Sequence, residues 1–303
     1  MNRLVPFKID NRGVRGFALV VEQGLETLLG WREYPAPVRQ LLGHALAATP
    51  LLAADLGEGW RFNLQYQGAT GQPLRLLVTQ ASDQLSLRGM AQWKGEREPQ
   101  AEWDFHRLLR GGTLAVMREP RGGSTREQPG YQGVVEIAGA SLAEALEIYF
   151  ARSEQIQTRV RLGASLAAGA GQGSRLAGLL VQRLPEGCSD DDWVHVHHLM
   201  QTVAEAELLA TEPETLLARV FAEDTVRVFE ARPVTPQCRC SHAQISAMLL
   251  GLGAEEVAAI LREQGRVAVG CDFCGRDWVF DAADVQALFA AEAAEAGSAG
   301  TRH

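Results

Sequence analysis

The chain has 303 residues, of which 46% are hydrophobic, and its formal net charge at pH 7 is −8. This length and apolar content indicate a folded protein of about two domains and exclude general disorder. The acidic balance argues against a broad nucleic-acid surface, which needs an excess of basic side chains.

The sequence shows no targeting or membrane segment. Its first residues lack the continuous apolar stretch of a secretory signal, and no window approaches the ~18 uninterrupted apolar residues of a membrane helix. We therefore expect a cytoplasmic protein with no membrane partner and no nucleic-acid partner. Thiols stay reduced in the cytosol, where clustered cysteines indicate metal binding or catalysis rather than structural disulfides.

The N-terminal half combines helical and strand patterns. Residues 37–56 carry the apolar stripe of a helix, and Trp60–Gln67 alternates apolar and polar side chains as a half-buried strand does. Further strands are predicted at 74–79 and 85–87, and a capping box at Ser141–Glu144 opens another helix. Consecutive strands with helices to either side predict an α+β fold with an antiparallel sheet, rather than a doubly wound parallel sheet.

A glycine-rich stretch covers residues 163–178 and includes Gly169, Gly171 and Gly173. A phosphate-binding loop would end in Gly-Lys-Ser or Gly-Lys-Thr, and the stretch contains no lysine. We expect close backbone packing or a flexible crossing there, not a nucleotide site.

Residues 184–232 read as a helical linker. A capping box at Thr211–Glu214 starts an apolar stripe that needs a partner surface to bury it. We interpret His195, His197 and His198 as a solvated helix face and the isolated Cys188 as an inert thiol. The chain then divides into an α+β core (1–183), the linker (184–232) and a C-terminal domain (233–303) with a frayed tail.

The remaining cysteines form two tight pairs in this C-terminal domain. They are Cys238 with Cys240 and Cys271 with Cys274. Two short helical patterns separate the pairs, so the chain can fold back and bring all four sulfurs to one ion. In an extended strand, the first pair would project to the same face. Four sulfurs complete a tetrahedral zinc site with no open position, so the predicted site is structural or redox-active but not hydrolytic.

Charge supports the same prediction. Four thiolates around one zinc ion carry a formal charge of −2, and Arg239, Arg266 and Arg276 lie close in sequence to compensate it. Ser241 is predicted to cap a helix whose positive N-terminal dipole follows Cys240 directly. Such surroundings favour thiolate, the form of cysteine that both binds metal and is oxidised.

Motifs along almost the whole chain resemble those of the bacterial redox-regulated heat-shock holdase chaperones of about 33 kDa, and this chain has a mass of 32.9 kDa. The cysteine spacing is the most specific of these motifs. The residues that carry the resemblance are Tyr34–Pro35, Leu41–Gly43, Leu87–Gly89, Tyr131–Gly133, Tyr149–Phe150, Ser153–Gln155, Gly178–Gln182, Leu184–Pro185, Arg219–Glu230, Cys238–Ser241 and Cys271–Gly275.

The resemblance implies a chaperone and not an enzyme. It implies that the zinc-bound reduced form is inactive, and that oxidation forms Cys238–Cys240 and Cys271–Cys274 disulfides and expels zinc. The switch domain and linker would then unfold and expose a surface that holds unfolded client proteins without ATP. The resemblance also implies that the oxidised form is a homodimer.

Two other functions remain open from the residues alone. One is a static zinc ribbon that serves as an interaction module. The other is a thiol–disulfide oxidoreductase that uses Cys271 and Cys274, although the sequence around this pair lacks a thioredoxin-like strand–turn–helix pattern.

Overall fold

The computed structural model describes residues 1–94, 104–123, 125, 128–166 and 173–299. The chain forms two compact units, Met1–Gln237 and Cys238–His303. The α+β class is confirmed, because antiparallel sheets and packed helices make up the described residues.

Two sheets form the framework of the first unit. Their strands are β1 (Arg3–Ile9), β2 (Val14–Val21), β3 (Trp60–Gln67), β4 (Leu74–Ser82), β5 (Ser86–Trp93), β6 (Thr113–Pro120), β7 (Tyr131–Val135), β8 (Thr158–Ser165), β9 (Arg175–Arg183), β10 (Val226–Val228), β11 (Arg232–Pro233) and β12 (Thr235–Pro236). One sheet has the order β10-β1-β2-β9-β8, with β11 also pairing with β1, and the other has the order β12-β5-β4-β3-β6-β7. Every pairing is antiparallel except that of β12 with β5.

The helices of the first unit pack around these sheets. They are α1 (Leu25–Leu29), α2 (Ala36–Leu52), α3 (Phe105–Leu109), α4 (Leu142–Tyr149), α5 (Asp190–Thr202), α6 (Glu205–Ala210) and α7 (Pro213–Val220). Helix α2 contacts strands of both sheets and so joins them. Its buried Thr49 hydroxyl lies 2.6 Å from the hydroxyl of Thr79 on β4, so this polar pair is satisfied within the core.

Most of the predicted elements of this half are confirmed. The strand at Trp60–Gln67 has the predicted bounds, β4 and β5 extend the two shorter predictions, and Ser141 caps α4 by accepting the N–H of Glu144. The glycine-rich stretch is different, because its two ends belong to β8 and β9. A Cβ on Gly178 would lie 2.7 Å from Cδ1 of Leu51, so close packing explains this glycine. Gly169 and Gly171 lie outside the described residues.

The linker helices cover one face of the first sheet. Alternate residues of β1 and β9 face these helices, as the period of two in a strand requires. The buried cluster consists of Val5, Phe7, Ile9, Val14, Ala18, Ala177, Leu179 and Val181 from the sheet, with Trp193, Val196, Met200, Val203, Leu208, Leu216, Leu217 and Phe221 from the linker. The predicted apolar stripe of the linker therefore has the partner surface that it needs.

One predicted helix N-terminus in the linker differs from the structure. Ser189 and Asp192 form a reciprocal capping box at the start of α5. The predicted box at Thr211–Glu214 is wrong: Glu212 occupies the N-cap position without a side-chain cap, and Pro213 opens α7. Proline is tolerated there because the first helical N–H groups have no partner within the helix.

After α7 the chain runs in an extended path that we call the strap, residues 226–237. It supplies β10, β11 and β12, and so provides the edge neighbour of β1 in one sheet and of β5 in the other. Nothing in the sequence pattern predicted these short strands.

The second unit is small and mixed. It contains α8 (His242–Leu252), α9 (Ala254–Gln264), the antiparallel pair β13 (Val267–Gly270) and β14 (Asp277–Phe280), and α10 (Ala282–Ala299). Its buried core consists of Leu249, Val257, Val267, Phe280 and Val285. Helix α10 occupies the segment in which the sequence indicated fraying, and residues 300–303 lie outside the described part.

No single helix in the described ranges is both long and apolar enough to cross a membrane. Helices α8 and α9 meet the length and composition criteria only as a pair, and the chain bends by 105° between them.

Candidate metal centre

The four paired cysteines converge in the second unit. Cys271 and Cys274 occupy the turn between β13 and β14, where Cys271 donates its N–H to the carbonyl of Arg276 at 2.9 Å. Gly275 donates to the carbonyl of Cys271 at 2.8 Å with a φ of +69°, a conformation that glycine adopts without strain. This turn holds the second of the two cysteine pairs.

Cys238 and Cys240 join the cluster with a backbone conformation different from the predicted strand. Residues 238–240 do not form a strand, so the same-face argument from strand geometry is wrong. Instead, the chain curls so that the N–H of Cys240 lies 3.4 Å from Sγ of Cys238. Helix α8 then begins directly after Cys240, and the Ser241 hydroxyl caps it by accepting the N–H of Gln244 at 3.2 Å.

The sulfur atoms have the spacing that a tetrahedral ion requires. All four thiols are free, and their sulfur atoms lie within 4.8 Å of one another. Cys238 Sγ is 3.6 Å from Cys271 Sγ, and Cys240 Sγ is 3.5 Å from Cys274 Sγ. Four sulfurs at about 2.3 Å from a central ion lie about 3.8 Å apart, so the cluster fits a four-coordinate metal with little adjustment.

Without a cation the cluster cannot hold four negative charges. Burial raises the pKa of Cys240 to about 12, with the neighbouring Cys238 adding to the effect, and burial also raises the pKa of Cys274. For Cys238, burial opposes ionisation, but the hydrogen bonds that it accepts from Cys240 outweigh burial and lower its pKa. One thiolate is therefore favoured over several, until a metal ion deprotonates the rest.

Two nearby groups have partners of their own. The guanidinium of Arg276 lies over the ring of Trp278, 5.5 Å from its centroid. His242 packs 4.9 Å from the ring of Phe280, and its Nδ1 lies 3.3 Å from the hydroxyl of Ser246. Charge compensation by Arg239 and Arg266 remains a prediction. In the described residues, the four cysteines are the one group of three or more metal-ligating side chains close enough to share an ion.

The linker histidines differ from the predicted solvated face. Only His198 is exposed. His195 lies 3.0 Å from a carboxylate oxygen of Asp224, and His197 accepts a hydrogen bond from Arg159. These contacts hold α5 to its neighbours, so the histidines contribute to the docking of the linker.

Asp224 is a buried carboxylate that the sequence did not reveal. Its side chain is 0% exposed and accepts the Arg12 Nε–H at 2.8 Å, and Nδ2 of Asn11 lies 3.4 Å away. Burial alone would raise its pKa, but the hydrogen bonds from Arg12 and His195 lower it. Arg12 and Asp224 are more than two hundred residues apart in the chain, and no local pattern signals such a pair.

Cys188 lies apart from the metal cluster. Its thiol is half-buried against the core of the first unit, and burial raises its pKa. Since thiolate is the reactive form, the structure agrees with an unreactive cysteine.

An α+β unit with a covered sheet face, joined to a small unit with a four-cysteine metal-competent centre, defines the class of this protein. The family model described as "Hsp33 protein" matches residues 2–281. The chain belongs to this family, whose members are chaperones and not enzymes.

Individual relatives agree with this assignment. The "33 kDa chaperonin" of Methylobacillus flagellatus is 37% identical over 290 residues, which is 94% of each chain. That of Nitrosococcus oceani is 37% identical over 298 residues, covering 98% of this chain and 97% of the relative. The crystal structure of the 33 kDa chaperonin from Thermotoga maritima superposes with a TM-score of 0.80, covering 96% of this chain and 99% of the other. At 22% identity, that likeness shows the fold alone.

Proposed function

We propose that this chaperone is a cytoplasmic, ATP-independent holdase that oxidation switches on. In the reduced state one zinc ion, held by Cys238, Cys240, Cys271 and Cys274, keeps the C-terminal domain folded. The strongest support is the spacing of the four free sulfurs, which matches that of a closed tetrahedral site.

Oxidation removes the ligands that zinc requires. Each disulfide forms when two thiolates give up two electrons. Hypochlorous acid accepts these electrons and, with one proton, leaves as chloride and water. Family resemblance suggests the pairs Cys238–Cys240 and Cys271–Cys274. A disulfide within Cys238–Cys240 closes a very small ring and carries strain, so it is comparatively easy to reduce again.

Loss of zinc should unfold the C-terminal domain. Structural zinc contributes about 10–16 kcal/mol to small metal-dependent folds, whereas whole domains are stable by only about 5–15 kcal/mol. Among the described residues of the second unit, the buried core has five members, which cannot replace that contribution.

Unfolding of the switch would then release the linker. The sheet face now covered by α5, α6 and α7 would become exposed, together with the apolar stripe of the linker itself. We propose that residues 1–183 bind unfolded clients and dimerise, that 184–232 form the releasable linker, and that 233–303 form the switch. Family resemblance suggests the homodimer in the oxidised state.

A paired assay tests the switch. Zinc-loaded protein is treated with hypochlorous acid, zinc release is followed with a colorimetric chelator, and light scattering of a heat-aggregating client measures holding. We expect zinc release and suppression of client aggregation to rise together, and both to reverse when a dithiol is added. The Cys188→Ser variant keeps the four ligands and should behave as wild type. A static zinc module would suppress aggregation equally in both states or in neither.

Peptide mapping under non-reducing conditions tests the disulfide pairs. Sequence-adjacent disulfides are expected if the unit opens as it oxidises. Cross-linked pairs such as Cys238–Cys271, which lie 3.6 Å apart in the reduced fold, would show that oxidation is complete before the unit opens.

A further inference from the structure

The strap covers the edges of both sheets. In one sheet β10 pairs with Phe7–Ile9 of β1, and β11 pairs with Arg3 and Leu4. In the other, β12 pairs in parallel with Ser86 and Leu87 of β5. Without the strap, β1 would have no neighbour on this side among the described strands, and its main-chain groups would need new partners.

Main-chain groups provide most of the attachment. Phe229 donates its N–H to the carbonyl of Pro6 at 2.9 Å, Thr235 donates to Leu85 at 3.1 Å, and Gln237 donates to Leu87 at 2.9 Å. These bonds do not depend on the identity of the strap side chains.

The strap buries few side chains. Only Val234 is fully buried, at 3% exposure, whereas Val228 and Phe229 are 44% and 47% exposed. Arg232 adds an anchor by donating to the carbonyls of Ala54 and Asp83, both at 2.6 Å. The edges of β1 and β5 therefore accept an extended backbone with little dependence on its sequence.

Two prolines remove main-chain donors from the sides of the strap that face away from β1 and from β5. Val234 donates its N–H toward β1, and Thr235 and Gln237 donate theirs toward β5. Because main-chain donors alternate sides along a strand, residue 233 faces away from β1 and residue 236 faces away from β5, and both are proline. Proline has no N–H, so the docked strap offers a further strand no main-chain donor at either position.

We propose that the edge of β1, continued by Ser86 and Leu87 of β5, binds an extended segment of an unfolded client by strand addition once the strap has left. This inference rests on the proposed release of the linker. The strap shows which occupant fits: a peptide in extended conformation, held mainly by its backbone. Unfolded chains of any sequence supply such segments, apart from those interrupted by several prolines.

Hydrogen exchange resolved to single amides tests this binding mode. Asp10, the residue directly after β1, donates its N–H to Thr225, the residue directly before the strap. By alternation, the amides of Leu4 and Lys8 face the same side, whereas those of Phe7 and Ile9 face β2. The second set serves as an internal control in the same strand.

The probe is reduced, S-alkylated α-lactalbumin, which stays unfolded and cannot exchange disulfides. The Leu4, Lys8 and Asp10 amides should exchange slowly in the reduced chaperone and rapidly in the oxidised chaperone alone. They should slow again by about fivefold when the probe is bound, as a net hydrogen bond of about 1 kcal/mol implies. The β2-facing amides should remain slow throughout.

A peptide with the strap sequence 226–237 provides a second, matched probe. It should compete with the client for oxidised full-length protein. The same peptide methylated on the nitrogens of Phe229, Thr235 and Gln237 keeps every side chain but loses three donors, and should not compete.

The outcomes separate this inference from the proposed function. Oxidised protein that fails to hold client contradicts the proposed function. Oxidised protein that binds the probe while Leu4, Lys8 and Asp10 still exchange rapidly overturns strand addition and leaves the holdase intact. If these amides exchange slowly in the oxidised protein without the probe, or slow down when only the protein concentration is raised, then the strap or a second copy of the chain occupies the edge. Either result also overturns the inference.

Discussion

Truncation of Phe221 should activate the chaperone without oxidation. This side chain is 1% exposed at the end of α7 and packs against Phe7 of β1, with ring centroids 6.1 Å apart and planes tilted by 37°. The Phe221→Ala substitution removes a large contact between the linker and the sheet face that it covers. It leaves all four cysteines of the second unit untouched.

The size of the effect follows from the burial of this ring. Replacing a fully buried phenylalanine by alanine costs about 3–5 kcal/mol, including the cavity that remains. A docking free energy of about 5 kcal/mol, the lower end of domain stabilities, keeps the undocked fraction near about 1 in 5,000. The substitution would raise that fraction to between about 3% and about one half.

Three measurements on the reduced, zinc-loaded variant check this. Zinc content should equal that of wild type, limited trypsin cleavage within 184–232 should accelerate, and suppression of client aggregation should appear before any oxidant is added. Thr215→Ala is the matched control, because Thr215 lies on the exposed side of the same helix. It should leave all three measurements unchanged.

The reasoning would be refuted by a folded Phe221→Ala variant that is cleaved faster in the linker yet holds no client until it is oxidised. That result would mean that release of the linker is not sufficient to expose the binding surface. A variant with wild-type cleavage would instead show that the linker docking energy does not depend on this contact.

Three further predictions concern single groups. Cys238→Ser should abolish tight zinc binding, because three thiolates and a neutral hydroxyl no longer complete the site; unchanged zinc content would overturn the ligand assignment. Cys188→Ser should leave zinc content and oxidative activation as in wild type, and alkylation of Cys188 should be slow, because burial raises its pKa. Asp224→Asn should lower the urea midpoint of the first unit at pH 7. The lowered pKa of Asp224 in the folded state means that its carboxylate stabilises the fold above its ordinary pKa of about 3.8, and that this contribution is lost as the pH falls through the lower, folded value. The difference in midpoint between wild type and Asp224→Asn should therefore shrink below about pH 4, and a difference independent of pH would contradict the role of its charge.

The sequence predicted those strands that have one face toward the core and one toward polar surroundings. Trp60–Gln67 is such a strand, and its alternation marks both ends. By contrast, β2 (Val14–Val21) is buried along almost its whole length because helices cover both faces of its sheet, so its side chains do not alternate. The period-of-two signal is absent there for a physical reason.

The four-cysteine cluster was predictable because chemistry limits what four clustered cysteines can do. Their identity and spacing specified which four side chains converge, although the strand geometry proposed for Cys238 and Cys240 was wrong. The strap and the Asp224 contacts were not predictable, since both depend on partners far away in the chain. Short two- or three-residue strands such as β11 and β12 carry no periodicity, and only the edge that they meet defines them.

The strap connects the small unit to the docked linker along the chain. Its Gln237 end is followed directly by Cys238, the first residue of the second unit, and its other end follows α7, which packs on the first sheet. Ordering a free backbone costs about 1–2 kcal/mol per residue, and a segment with one fully buried side chain gains little to offset that cost. The strap therefore depends on the docked α7 to hold its first residues beside β1. If the linker is released as we propose, that end is freed, the same hydrogen bonds must order a longer flexible chain, and the edges of β1 and β5 become available to competing strands.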